Sequence, residues 1–368
     1  MPVRNVLDDP ERIRKIDKSD MLSFCTNAPK HYEKAVALAK TMKLAYQRPK
    51  AIVVAGMGGS GIGGELLKDW SRTRLDIPIS VCRDYFLPKH VNKHSLVFVL
   101  SYSGETEESL SVFLEAVKRE CMIFCISSGG SLGEFAQRLG IPCLQIPAGM
   151  PPRAALPYLF VPTLLSLEAM GLVSGVDLEV SESFRVLRRV CMENAPEKPL
   201  KSNFSKTLAS SLQGTIPVIY GFGVYRAVAQ RFKTQLNENS KVPSKSEVFP
   251  ELNHNEIVGW ERADELARWF SIVFIRDKDE PNEIKQRIET TKKLLCEKSL
   301  KPSEVWSEGE SPLAKMSSVI CIGDFVSAYL AIARGVDPTP VRTIALLKRE
   351  LEKTGTKRKI LRELQNLV

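Results

Sequence analysis

The sequence predicts an α/β protein of two tandem units, each a parallel sheet flanked by helices in a doubly wound, flavodoxin-like sandwich. Three observations carry this. Short apolar runs alternate with amphipathic ones along most of the 368 residues, as strands joined by crossover helices do. The alternation breaks around 194–205, where charged, Pro- and Lys-containing sequence intervenes, and then restarts. Both series open alike: "IVVAGMG" (52–58) and "VIYGFG" (218–223) each end an apolar run in Gly-x-Gly before a helical pattern.

In chain order, 1–48 reads as a helical lead-in with a turn at "TNAPK" (26–30). Residues 49–175 form the first unit. Its strands are "AIVVAG" (51–56), "PISVCR" (78–83), "SLVFVLS" (95–101), "CMIFCIS" (121–127) and "CLQIPA" (143–148), and a helix over 154–170 closes it. A helical connection covers 176–212. The second unit, 213–350, places strands at "PVIYGFG" (217–223), "SEVFPE" (246–251), "WFSIVFIRD" (269–277) and "SEVWSE" (303–308), with helices over 225–239, 281–297 and 312–333. Residues 351–368 make a basic helical tail.

Composition narrows the function classes. Apolar and charged fractions of 43% and 26% suit a globular protein. The charged start lacks a secretory pattern, and no apolar run is read as reaching the roughly 20 residues of a membrane span, so a cytoplasmic protein without a membrane partner is expected. The eight cysteines are scattered without C-x-x-C, and none of the four histidines adjoins one, so neither a disulfide framework nor a metal site is expected. The net charge of +9 admits an anionic ligand. Its basic tail interleaves Glu350, Glu352 and Glu363 with the bases and lacks aromatics for stacking, which argues against nucleic acid.

In doubly wound sheets, ligands sit at the carboxyl ends of the strands. The first such loop carries a literal G-x-G-x-x-G at Gly56, Gly58 and Gly61, and Asp84 after the second strand could hold a ribose. By this loop alone an NAD reading stands. The second loop, "VFVLSYSGETEES" (97–109), sets Ser101, Ser103 and Thr106 around Gly104 at a helix start, where N–H groups and the helix dipole favour a phosphate. Ser103 or Thr106 is expected to cap this helix, but capping needs one hydroxyl rather than three. Glu105, Glu107 and Glu108 must then face away from the anion. A third loop, "ISSGGSLGE" (126–134), adds a Ser/Gly turn that can line a sugar.

A G-G-S-G turn (58–61), S-Y-S-G-x-T opening a helix (101–106) and a Ser/Gly turn resemble the sugar isomerase (SIS) domain. "PPRAALPYLF" (151–160), "QLNENSKVPS" (235–244), "FPELNHNEIVGW" (249–260) and "GVDPTPVRTIALLK" (335–348) follow in the order of the bifunctional phosphoglucose/phosphomannose isomerases, which the chain resembles over about 50–350. The resemblance implies two tandem SIS subdomains and an aldose–ketose isomerase without metal or organic cofactor. Its substrates are glucose 6-phosphate and, with less support from sequence, mannose 6-phosphate; its product is fructose 6-phosphate. It implies that Gly59, Ser60, Ser101, Ser103 and Thr106 hold substrate and phosphate. Arg153 corresponds to the arginine near the reacting carbons, Glu238 to the base between C1 and C2, His254 to the ring-opening acid/base, and Lys348 to a C-terminal active-site lysine. It also implies a homodimer in which His254 completes the partner's site.

The residue types suit the chemistry. A shielded carboxylate can shuttle a proton, a fixed guanidinium can stabilise an enediolate, and an imidazole can take and give protons near neutral pH. An NAD-dependent oxidoreductase would explain only the first loop. A non-catalytic SIS phosphosugar sensor would be expected to bring a DNA-binding helix-turn-helix, and the lead-in shows no basic recognition face. An amino-sugar enzyme would need an amidotransferase domain opening with a nucleophilic cysteine, which this sequence does not show.

Overall fold

Both strand series form parallel sheets, and the strand order in each creates one crevice. The structure, a computed structural model, describes residues 5–42 and 44–368. Contacts divide the chain into two compact units, Lys30–Asp177 with Val341–Val368, and Met1–Pro29 with Leu178–Pro340.

In the unit formed by Lys30–Asp177 and Val341–Val368, the strands are β1 (Ala51–Ala55), β2 (Ile79–Cys82), β3 (Ser95–Leu100), β4 (Met122–Ser127) and β5 (Cys143–Gln145). They pair in the order β2-β1-β3-β4-β5, all parallel. β3 is buried along its whole length, as an apolar run without alternation predicts for a strand covered on both faces. The order reverses between β1 and β3, so crossovers leave in opposite directions and open a crevice there. Ala55 pairs with Val99, which brings the loops after these two strands out side by side.

The tail is two helices. Thr356–Gln365 buries Ile360 and Leu364 in the core cluster that includes Leu110, Phe113 and Leu132. Arg342–Glu352 buries nothing.

In the unit formed by Met1–Pro29 and Leu178–Pro340, the strands are β6 (Ile216–Gly221), β7 (Lys245–Val248), β8 (Phe270–Arg276) and β9 (Ser303–Trp306). Their order, β7-β6-β8-β9, repeats the first pattern without a fifth strand, and all pairs are parallel. Its core helix is Pro312–Ala333. This corrects the expectation that no apolar run reaches membrane-spanning length: the helix is 22 residues long and apolar enough, but 89% of its most apolar window is buried inside the protein. Lys315 and Asp324 interrupt the apolar residues of this helix.

Candidate active site

The loops on either side of the β1/β3 crevice are tied to each other. Ser60, in the first turn of the Gly58–Ser71 helix, is buried, and its Oγ accepts a hydrogen bond of 3.2 Å from the backbone N–H of Tyr102. Gly59 packs so closely on the turn Pro152–Ala154 that a Cβ there would lie 3.0 Å from the Arg153 backbone. Arg153 itself is 2% exposed. Gly59, Ser60, Arg153 and the second loop therefore converge at one crevice.

In the second loop the buried Ser101 donates to Thr106 Oγ1 at 3.2 Å, and Ser103, which is exposed, accepts from the Glu105 N–H at 3.2 Å. Thr106 occupies the N-cap of the helix Glu107–Lys118, yet its hydroxyl makes no capping hydrogen bond. The expected cap by Ser103 or Thr106 is thus not formed: Ser103 closes a short turn and Thr106 is drawn to Ser101. Gly104 is required by geometry, since its φ is +68° and a Cβ would sit 1.8 Å from the Gly129 carbonyl.

Glu105 and Glu107 are engaged by partners outside the Ser101–Thr106 pair. Glu105 accepts from the N–H of Ser131 at 2.7 Å, at the start of the third-loop helix Gly130–Arg138, and pairs with Lys357 at 2.5 Å. Burial works to raise its pKa, but Lys357 and Ser131 outweigh that and hold it below the usual value. Tyr85 donates to Glu107 at 2.7 Å. Asp84, the residue a dinucleotide ribose would need, is exposed and accepts from the N–H of Tyr85 at 2.6 Å.

Sequence reasoning passed over Tyr102. Its backbone N–H binds Ser60, its carbonyl accepts from Ser128 Oγ at 2.6 Å, and its hydroxyl accepts from the Met150 N–H at 2.9 Å. A single aromatic between two serines, "SYS", was the available signal. Lys348 is exposed on Arg342–Glu352, and no described residue hydrogen-bonds or pairs with it.

Glu238 and His254 belong to the other unit. The helix expected over 225–239 is α-helical only over Arg226–Gln235 and continues as a π-helix, Leu236–Ser240, with Glu238 half-buried at its centre. Such widened turns recur at functional sites. This one is pinned to the core helix: Asn239 Nδ2 donates to Ser327 Oγ at 2.9 Å, and Ser240 Oγ donates to the Ser327 carbonyl at 2.6 Å. Asn237 Nδ2 donates to the Val242 carbonyl at 2.8 Å, and Lys241, at φ +54°, donates to the Glu238 carbonyl at 2.7 Å. The neighbours of Glu238 are thus held by backbone and scaffold.

His254 ends the 3₁₀ turn Glu251–His254 and is exposed. Asn253 on one side donates to Thr291 Oγ1 at 2.8 Å, and Asn255 on the other donates to Glu251 at 2.8 Å. No described residue hydrogen-bonds the imidazole. The flanking asparagines fix the turn and present the ring outward.

The second crevice, between β6 and β8, is chemically different. Asp277 follows β8 as Ser101 follows β3. Lys315 donates to Asp277 at 2.9 Å and to Asp279 at 2.6 Å, while Tyr225 donates to Asp277 at 2.6 Å and lies 2.8 Å from Ser307 Oγ. Burial opposes the charge on Lys315, but Asp279 and Asp277 prevail and keep its pKa above the usual value. These groups satisfy one another, and two carboxylates stand where an anion would approach.

Two parallel sheets with hydroxyl-bearing loops at the first crevice define the class of the sugar isomerase (SIS) fold. The bacterial phospho-glucose isomerase C-terminal SIS domain matches residues 201–351. The C-terminal domain of glucosamine-fructose-6-phosphate aminotransferase from Francisella tularensis superposes with a TM-score of 0.69 at 15% identity, over 87% of this chain and 98% of that one, a likeness of fold alone. The bifunctional phosphoglucose/phosphomannose isomerase of Caldicellulosiruptor bescii is 39% identical over 334 residues, 90% of this chain and 98% of that protein. Its counterpart in Aquifex aeolicus is 37% identical, over 83% and 91%. The chain belongs to the bifunctional phosphoglucose/phosphomannose isomerase family.

Proposed function

We propose that this protein is an aldose–ketose isomerase that interconverts glucose 6-phosphate and mannose 6-phosphate with fructose 6-phosphate through a cis-enediol. Near-full-length similarity to relatives of that name supports the reaction. The observation that carries the site is the convergence of Ser60, Ser101, Thr106 and Arg153 at the β1/β3 crevice, with Glu105 and Glu107 bound to other partners.

In this reading the phosphate lies on the second loop among Ser101, Ser103 and Thr106, with Gly59 and Ser60 completing its cradle. Binding there, remote from the reacting carbons, supports the chemistry at C1 and C2. His254 opens the pyranose ring. Glu238 takes the proton from C2 of the aldose and returns it to C1, and Arg153 stabilises the negative charge that develops on the enediol oxygens. Both aldoses share that enediol, so one base serves both. Lys348 adds a further positive charge to the substrate's surroundings. No metal or organic cofactor takes part, and the setting is the cytoplasm. The exposed, unengaged His254 ring fits a homodimer in which it completes the other copy's site.

The test is fructose 6-phosphate formation from each aldose in the presence of EDTA. Turnover of both, reduced about 10²- to 10⁴-fold in Glu238→Gln as expected for loss of a general base, is the predicted result. Turnover that survives Glu238→Gln overturns the assignment of the base. An inactive, well-folded wild-type protein overturns the enzyme reading.

A further inference from the structure

The tail past 350 carries its charge at the unfavourable end of a helix. Lys357, Arg358 and Lys359 follow one another at the start of Thr356–Gln365, with no acid in its first turn, where the helix dipole disfavours cations. The helix is nevertheless held in one place. Ile360 and Leu364 are buried, Lys118 of Glu107–Lys118 pairs with Glu363 at 2.5 Å, and Arg138 of Gly130–Arg138 donates to Gln365 at 3.0 Å. That seat brings Lys357 to Glu105.

Glu105 joins the second loop to the third. Its N–H donates to Ser103 Oγ, but its carboxylate is folded onto the third loop, where Ser131 donates through its N–H at 2.7 Å and through its Oγ at 3.0 Å. Gly129, at the N-cap of Gly130–Arg138, has no side chain to cap with, and the Glu105 carboxylate takes that place. The seat is tight: a Cβ at Gly130 would lie 2.8 Å from Glu105 Oε1 and 2.4 Å from the Ser103 carbonyl. Backbone ties the same two loops, since the Leu132 N–H donates to the Gly104 carbonyl at 3.0 Å. A carboxylate is thereby fixed beside the hydroxyl cluster, and left unneutralised it would repel a phosphate held there. Lys357 meets that charge at 2.5 Å.

We propose that Lys357 is a positioning residue for substrate binding: it neutralises Glu105 and holds its carboxylate on the third loop, which leaves Ser101, Ser103 and Thr106 open to a sugar phosphate. This role rests on the reading that the phosphate lies on the second loop. It gives the tail a part in binding that acts through Glu105 rather than by contact with the substrate.

The test is steady-state kinetics with glucose 6-phosphate on Lys357→Ala, Lys357→Arg and the double variant Lys357→Ala/Glu105→Gln, with the affinity for fructose 6-phosphate measured by calorimetry. The pair is partly exposed, so all three should fold. Lys357→Ala is expected to raise KM and the dissociation constant about 2- to 5-fold at unchanged kcat, the span of a partly exposed charge pair. High salt should shrink that difference. Lys357→Arg should keep the wild-type KM. The double variant should return to it, because glutamine keeps an acceptor for Ser131 without the charge. A wild-type KM in Lys357→Ala overturns the proposal. So does a double variant no better than Lys357→Ala, which would make the lysine structural only. A wild-type protein that neither turns over glucose 6-phosphate nor binds fructose 6-phosphate overturns the isomerase reading as well.

Discussion

The two crevices share a strand order and differ in what fills them. At β1/β3 the residue after the far strand is Ser101, bound to Thr106, and the neighbouring glycine turn packs on the Arg153 backbone. At β6/β8 the corresponding residue is Asp277, locked to Lys315 and Tyr225. A repeated strand order therefore frames two different chemistries: hydroxyls can receive an anion, while an ion cluster whose members satisfy one another holds loops together.

That contrast is sharpest under substitution. Lys315→Met leaves Asp277 and Asp279 without their cation, and removing one partner of a buried pair costs about 3–5 kcal/mol. A lowered melting temperature with unchanged kcat/KM in the folded fraction is expected; loss of kcat/KM at full stability would make the second crevice part of the site. Ser103→Asp does the reverse. Ser103 is exposed, so the fold should hold, but a carboxylate among the hydroxyls repels phosphate and removes a contact worth about 1.5–3 kcal/mol. Steady-state kinetics should show kcat/KM lower by roughly 10- to 100-fold, and an unchanged value would move the phosphate elsewhere.

The smallest effect concerns the clamp on the third loop. The folded-state pKa of Glu105 lies below its ordinary value of 4.5, so its contribution is fully present above that value and fades as pH falls through the lower folded one. Lys357→Ala should cost under about 1 kcal/mol, because the pair is partly exposed, and should weaken this acid-side dependence in thermal melts.

Much of this was legible in sequence because it is local. Strand and helix periods follow the alternation of apolar residues, and Gly-rich turns declare themselves at Gly56–Gly61 and Gly104 through backbone demands. Motif order suggested the family before any contact was visible. What stayed hidden depends on distant partners. The π-turn around Glu238 is held by Ser327, 87 residues on from Ser240, so a helix pattern could not foretell it. The side on which Glu105 points is decided by Lys357 from the tail. The apolar length of Pro312–Ala333 was masked by two charged residues whose partners lie on other elements.

The most direct measurement is a calorimetric titration of the wild-type protein with fructose 6-phosphate. One sugar phosphate bound per chain is the predicted result, because among the described residues the β1/β3 crevice sets hydroxyls and a glycine turn together while the β6/β8 crevice holds the Lys315–Asp277 cluster. Two per chain would mean that the ion cluster at β6/β8 opens to ligand, and none would remove the phosphate from both crevices; either contradicts the account.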